Sequence, residues 1–341
     1  MIHIGVDMHK NFSNFAALDE ATDSLGEQRL ENDPQAIGSF LVQLPGHKQV
    51  AVEANRNWYW FIDLLQDMDV PVKLSNPLQT KAIAWARVKT DTVDARMLAS
   101  LLKANLLPTC WIPERHNRHL REFVRFRAKL VRLRTQVKNS IRTLLSKHNL
   151  HPPVQSLWGP TGREYLKSLP LEHPHDRILS QSLAIIELLD QQINSWNETI
   201  RQLIKESPEL KRLCSVPGIG PVLAITILLE TGPITRFPAA KKYAAYAGLV
   251  PRVRSSAGQT HYGGHLSRQA NLTLRWAFVE AATDATKGST QWSHLYRRMA
   301  ARKGKSIAKV ALARKMSKMV YQMLKRNIDY HTYLSGGYLG R

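Results

Sequence analysis

The chain has 341 residues, 43% of them apolar, and its 48 Lys+Arg against 27 Asp+Glu give a formal net charge of +21. This length allows about two domains, the apolar share excludes a disordered basic tail, and the cationic excess points to a polyanion, which for a folded chain means nucleic acid. Cys110 and Cys214 stand far apart without CxxC spacing, no apolar run approaches the ~20 residues of a membrane span, and MIHIGVDMHK lacks a signal-peptide core, so a cytoplasmic protein without disulfides, cysteine zinc or membrane partner is expected.

In chain order, HIGVDM reads as a short apolar strand, NFSNFAALDE as a second, and turn-rich ATDSLGE leads to a third around Gln28 to Leu30. DPQAIGSFLVQL has helical spacing, with Asp33 and Pro34 as cap and first-turn residues. KQVAVEAN then reads as a strand, NWYWFIDLLQDM as a helix, VPVKLSN as a strand and TKAIAWA as a helix. The pattern predicts an α/β domain with a mixed sheet. The aromatic run Trp58, Tyr59, Trp60 and Phe61 fits helical core packing better than base stacking. A further helix starts in KTDTVDARMLA, with Val93, Met97, Leu98, Leu101 and Leu102 as its apolar face.

Beyond Pro108 and Pro113 the character changes. Phe123, Phe126, Leu130, Leu133, Val137, Ile141 and Leu144 follow near-heptad spacing, flanked by Arg121, Arg125, Arg132, Lys138 and further bases. Leu183, Ile186, Leu189, Ile193, Trp196, Ile200 and Leu203 repeat that spacing after the Pro/Gly-rich HPPVQSLWGPTG. Two long amphipathic helices, paired as a hairpin or between chains as a coiled coil, are expected, the basic one facing phosphates. In LCSVPGIGPVLAITILLETG, Pro217, Gly218 and Gly220 make a tight turn between helices. Such a helix-hairpin-helix can hold a nucleic-acid phosphate on backbone N–H groups. More helices follow from Asn271, ending in the basic ARKGKSIAKVALARKMSKMVYQMLKR, and Lys287 to Gly304 lacks the GxxxxGK[ST] pattern of an ATP site. His261 and His265 lie four apart without a convincing third ligand and read as part of a glycine-rich loop.

The carboxylates carry the chemistry. Asp7 and Glu53 lie near the ends of apolar strands, where burial is costly unless the group is paired or binds a metal. Asp91 and Asp94 stand three apart at a helix start, where they repel unless a cation lies between them. Four acids at two strand ends and one helix fit Mg²⁺ or Mn²⁺, and two such ions about 4 Å apart can clamp the attacking and leaving oxygens of a phosphodiester.

Strand-borne Asp7 and Glu53 with helix-borne KTDTVDARMLA resemble the DEDD site of RuvC-like Holliday-junction resolvases. KTDTVDARMLA, VPGIG and YAAYAGLVPR, in that order, resemble the insertion-sequence transposases related to the Piv/MooV invertases, the IS one-ten and IS eleven-eleven groups, from about Ile4 to about Leu324. The resemblance implies a RuvC-like, RNase H-fold DEDD domain over 1–108, basic coiled-coil helices over 109–207, and a helical C-terminal transposase domain with helix-hairpin-helix and serine loop over 208–341. It implies a bacterial DNA recombinase, associated with the nucleoid when bound to DNA, whose Asp7, Glu53, Asp91 and Asp94 hold Mg²⁺ or Mn²⁺. In AGLVPRVRSSAGQTHYGGHLSR the nucleophile falls at Ser256, although Ala257 replaces the usual glycine and Ser255 is adjacent. Arg252 and Arg254 beside it suit phosphate oxygens. The family further implies DNA partners at element ends and target, a structured non-coding guide RNA (a bridge RNA), and a dimer or tetramer. Two rival readings stand beside it: a resolvase-like nuclease that uses water, and a non-catalytic DNA- or RNA-binding protein.

Overall fold

The computed structural model describes residues 1–20, 25–83, 91–256, 259–267, 269–288 and 290–336, with backbone only for those within 252–265. These residues form two compact units, Met1–Arg115 and His116–Arg341.

Unit 1 is built on β1 (Ile2–Met8), β2 (Phe12–Asp19), β3 (Gly26–Glu31), α1 (Pro34–Gln43), β4 (Lys48–Glu53), α2 (Trp58–Asp67), β5 (Val72–Ser75), α3 (Pro77–Ile83), α4 (Asp91–Lys103) and the two-residue β6 (Thr109–Cys110). The strands make one six-stranded sheet in the order β3-β2-β1-β4-β5-β6. β1 runs antiparallel to β2 and parallel to β4, so the sheet is mixed, as the strand pattern predicts. Side chains alternate between faces along a strand. Ile2, Ile4, Val6 and Met8 of β1 therefore enter one buried cluster with Ile37, Leu41, Phe61, Ile62 and Leu65 from α1 and α2. Trp58 and Trp60 pack against that cluster, in keeping with core packing for the aromatic run. Asp33 caps α1 by accepting a hydrogen bond from the Ala36 N–H.

The opposite face carries α4. Ala51 of β4 packs there with Leu98, Leu101, Leu102 and Leu107. At Gly5 the helix comes so close that a Cβ would lie 1.9 Å from the Ala95 carbonyl oxygen and 2.5 Å from the Ala99 nitrogen. Only glycine admits this approach. Residues 84–90, which include the end of TKAIAWA and the first two of KTDTVDARMLA, lie outside the described residues.

Unit 2 comprises α5 (Arg115–Lys147, its first residue in unit 1), α6 (Pro160–Ser168), α7 (His175–Glu206), α8 (Pro208–Cys214), α9 (Pro221–Thr231), α10 (Ala240–Tyr246), the hairpin of β7 (Pro251–Ser256) and β8 (Gln259–Leu266), α11 (Leu272–Ala285), α12 (Gln291–Lys303), α13 (Lys305–Arg326) and α14 (Tyr330–Ser335). α5 and α7 pair as an antiparallel hairpin. Phe123 and Phe126 meet the Trp196 ring, Arg127 donates to Asn197, Arg134 pairs with Asp190, and Ile141 and Leu144 share a cluster with Leu179 and Ile186. A second, larger core gathers α8, α9, α11 and α13, and takes in Val124 and Ile200 from the hairpin. The segment expected as a glycine-rich loop around His261 is a strand, because Val253, Thr260 and Tyr262 favour a ladder. Among the described residues no helix is long and apolar enough to cross a membrane.

Candidate carboxylate site and serine hairpin

Asp7 stands two residues beyond Gly5 and therefore on the same face of β1, toward α4. Since the helix axis is fixed where Ala95 and Ala99 cross Gly5, the preceding helical turn, with Asp91 and Asp94, is carried over Asp7. Two acids in a first helical turn also favour the helix dipole, which helps them tolerate each other. Glu53 continues the parallel register in which Val6 faces Val52, so it ends β4 beside Asp7 on the same face. The sheet and one helix thus bring Asp91 and Asp94 close to Asp7, with Glu53 in register beside it. Asp7 and Asp94 are half-buried and Asp91 is exposed.

A fifth group, not expected from the sequence, completes the cluster. His9 Nε2 lies 3.1 Å from Asp7 Oδ2 and 3.1 Å from Asp91 Oδ2. One ligand atom from each of Asp7, His9 and Asp91 falls within 4.8 Å of the other two. The turn that carries His9 is held on several sides. The His9 carbonyl accepts hydrogen bonds from the Asn32 and Asn57 carboxamides, the Met8 carbonyl accepts one from Asn55, and the His9 ring stacks on Phe12 at 4.7 Å. Arg29 covers the Phe12 ring at 3.6 Å.

Burial pushes the Asp7 carboxyl above its ordinary pKa; His9 offsets part of this, while the Asp94 and Asp91 charges add to it. Directly across from Asp7 in β2, Asn14 is more than nine-tenths buried, and its Nδ2 makes no hydrogen bond among the described residues. Crowded anionic oxygens, an imidazole and a spare buried donor are a donor set that fits a divalent cation with its water or phosphate ligands.

Unit 2 distributes its candidates differently. Arg121 and Arg125 both bind the Glu230 carboxylate at the C-terminal end of α9, Arg125 at 2.9 Å. Burial opposes the Glu230 charge, but these two guanidiniums prevail and hold its carboxyl below the ordinary range. Arg132 is exposed, and Lys138 lies over the Trp158 ring at 4.9 Å. Gly218, at φ +88°, turns inward, where a Cβ would meet the Ala281 carbonyl oxygen of α11 at 2.3 Å, whereas Gly220 opens to space.

Ser256 ends β7, paired with Gln259, and Ser255 pairs with Thr260. The side chains of Arg252, Arg254, Ser255, Ser256, His261 and His265 lie outside the described residues. The base of this hairpin is tied to the Glu230 group. Asn271, which caps α11 just after β8, donates to Glu230 at 2.8 Å and to the Tyr246 hydroxyl at 3.2 Å, and its own N–H donates to the Tyr246 carbonyl. Arg275 donates to the Ser267 carbonyl. Glu230 and Asn271 stand in no motif of the sequence, and Tyr246, although within YAAYAGLVPR, has no role assigned by it; only the acid inside the apolar run AITILLETG hints at a buried partner.

Two family models match the chain: an IS110 DEDD model described as a transposase over residues 4–150, and one described as a transposase of the IS116/IS110/IS902 family over residues 210–297. A transposase for the insertion sequence element IS1111A of Coxiella burnetii is 23% identical over 340 residues, covering 96% of this chain and 90% of the relative. The pilin gene-inverting protein of Moraxella bovis is 29% identical over 266 residues, covering 75% of this chain and 73% of the relative.

Proposed function

The chain belongs to the IS110/IS116/IS902 family of transposases, DNA-cleaving and rejoining enzymes, and from that premise we propose that it joins insertion-sequence ends to target DNA through a carboxylate metal site in unit 1 and a serine nucleophile in unit 2. The observation that carries this reading is the convergence of Asp7, Asp91 and Asp94, with Glu53 alongside, enforced by the Gly5 contact with α4. The strand order β3-β2-β1-β4-β5, with β2 antiparallel to both of its neighbours β3 and β1, and with β4 and β5 parallel to β1, supports a RuvC-like, RNase H-fold reading of this domain. In unit 2 we read the α5–α7 hairpin as the coiled-coil region and the remainder as the transposase domain.

Asp7, Glu53, Asp91 and Asp94 would hold Mg²⁺ or Mn²⁺, which when bound supplies positive charge to the scissile phosphate. The Ser256 hydroxyl oxygen, with Ser255 as the adjacent alternative, bonds to phosphorus while the P–O bond to one DNA strand breaks. The departing strand oxygen takes up a proton, and the serine proton is lost to the surroundings. The resulting phosphoserine diester conserves the bond until the hydroxyl of another DNA end attacks phosphorus and releases the serine. Arg252 and Arg254 suit the phosphate oxygens that gain charge in these steps. A relative named for inverting a pilin gene is in keeping with cut-and-rejoin chemistry. We further assign sequence choice to a non-coding guide RNA, which leaves the protein to grip backbones, and place the working form as a dimer or tetramer.

The test is a suicide DNA substrate carrying an element end, incubated with the protein and divalent metal and then denatured. A covalent protein–DNA adduct that survives in Ser255→Ala and vanishes in Ser256→Ala supports this reading. Cleavage that persists without adduct in Ser256→Ala selects a water-using nuclease instead, and unchanged activity in Asp91→Ala sinks the metal site.

A further inference from the structure

Resting on the metal-site reading above, we infer that His9 is itself a ligand of the metal, so that the site is a mixed nitrogen and oxygen site that takes Mn²⁺ in preference to Mg²⁺. An octahedral ion with bonds of about 2.1–2.2 Å sets neighbouring ligand atoms about 3.0–3.1 Å apart. His9 Nε2 makes two edges of 3.1 Å, one to Asp7 Oδ2 and one to Asp91 Oδ2. Both distances match adjacent positions of such a shell, and one ligand atom from each of Asp7, His9 and Asp91 lies within 4.8 Å of the other two.

A hydrogen-bonded histidine accounts for this less well. Nε2 offers either one proton or one lone pair, and a single N–H cannot point along two separate lines to two oxygens. One lone pair directed at a cation lying among the three atoms satisfies all of them together. The ring is also fixed in advance, as metal-binding imidazoles are. Asn32 and Asn57 hold the backbone carbonyl of His9, the His9 N–H donates to the Phe12 carbonyl at 2.9 Å, and the ring stacks on Phe12. Asn14, across the sheet from Asp7, leaves a buried N–H donor for a water or phosphate oxygen on the same ion.

The choice of ion follows from the donors. Mg²⁺ favours oxygen ligands and retains its waters, whereas an imidazole suits first-row transition ions, whose affinities rise from Mn²⁺ onward. One nitrogen among four carboxylates moves preference toward Mn²⁺ while still tolerating a hard ion.

Tag-free full-length protein loaded with one equivalent of Mn²⁺ would be examined by pulsed electron paramagnetic resonance, which detects ¹⁴N bound to the ion. We expect an imidazole ¹⁴N coupling in the native chain and its loss in His9→Asn. Calorimetric titration should show Mn²⁺ binding weakened about tenfold or more in that variant and Mg²⁺ binding by less than about threefold, the scale on which metal ligands and their supports act. Absence of ¹⁴N coupling in the native protein overturns the inference, and this measurement needs no variant to fold. Equal losses for the two ions overturn it as well. Failure of the underlying site looks different: Asp7→Asn and Asp91→Asn would then bind Mn²⁺ as the native chain does.

Discussion

Gly5 carries no chemistry, yet the carboxylate site depends on it. Replacing it by alanine drives a methyl into the Ala95 carbonyl and the Ala99 amide, both backbone atoms that cannot rotate away. Overpacking of this kind costs ~1–3 kcal/mol. Because the strain is relieved by moving α4 off β1, Gly5→Ala should lower both the melting temperature and the affinity for divalent metal, as read by thermal unfolding with and without Mn²⁺. Asp7 shows the opposite balance. Its carboxyl is pushed up by burial, so its charge is unfavourable for the metal-free fold once the pH exceeds its raised pKa. Asp7→Asn should therefore match or exceed the metal-free stability of the native chain at neutral pH, while losing the metal-dependent rise in melting temperature. Cleavage should fall at least ~10³-fold, the equivalent of the several kcal/mol that a catalytic ion contributes. The carboxylates were legible in the sequence because acids at the ends of apolar strands are anomalous. His9 was not: a histidine after a strand is ordinary, and its closeness to Asp91 exists only through the helix approach at Gly5.

At the scale of elements, α5 shows why a heptad pattern is only partly informative. At 33 residues it is about 50 Å long and serves two cores in turn. Val124 joins the cluster of α9 and α11, whereas Ile141, Leu144 and Leu145 join that of α6 and α7. Phe126 and Leu133, on the expected seam, remain 46% and 40% exposed, because the buried stripe shifts as the partner changes. The two helices were thus readable from spacing, while the choice between a hairpin within the chain and a coiled coil between chains was not, nor were the ion pairs of their arginines. Arg121 and Arg125, expected to face phosphates, converge on Glu230, one link in a chain through Asn271 to the base of the serine hairpin. Removing one partner of such a buried pair costs about 3–5 kcal/mol, since the other charge is left in place. Glu230→Gln should destabilise unit 2 by that amount in denaturant unfolding at pH 7. The sign of its pH dependence is fixed by the lowered carboxyl: its contribution is complete above the ordinary glutamate pKa and is lost as the pH falls through the lower folded value. The gap between native and Glu230→Gln stability should therefore stay constant from neutral pH to about pH 5 and close only below the ordinary glutamate range of about 4.3.

Across the whole molecule, the charge of +21 divides into cations already neutralised and cations left for a partner. Arg134 and Arg163 share Asp190, and Arg115 holds Asp63 and Asp67, so these bases are occupied in stabilising the fold, as Arg121 and Arg125 are. Around Lys318 the balance differs. Burial lowers its pKa, and the neighbouring charges that lower it further are Arg314, Lys241 and Lys315, with no carboxylate among the causes. Cations from α10 and α13 are thereby held together against their own repulsion, an arrangement that a phosphate backbone relieves. Exposed Arg132 on α5 extends the same kind of surface. Each phosphate neutralised on duplex DNA adds ~0.9 to the slope of log affinity against log salt. Arg132→Ala and Lys318→Ala should each reduce that slope by about one and weaken binding to unrelated sequences alike, as measured by fluorescence anisotropy over a salt series. Arg121→Ala should leave the slope unchanged while lowering the unfolding midpoint. If Arg121→Ala flattened the slope without loss of stability, the ion pair with Glu230 would give way to phosphate in the complex, and the hairpin base would be an interface rather than a brace.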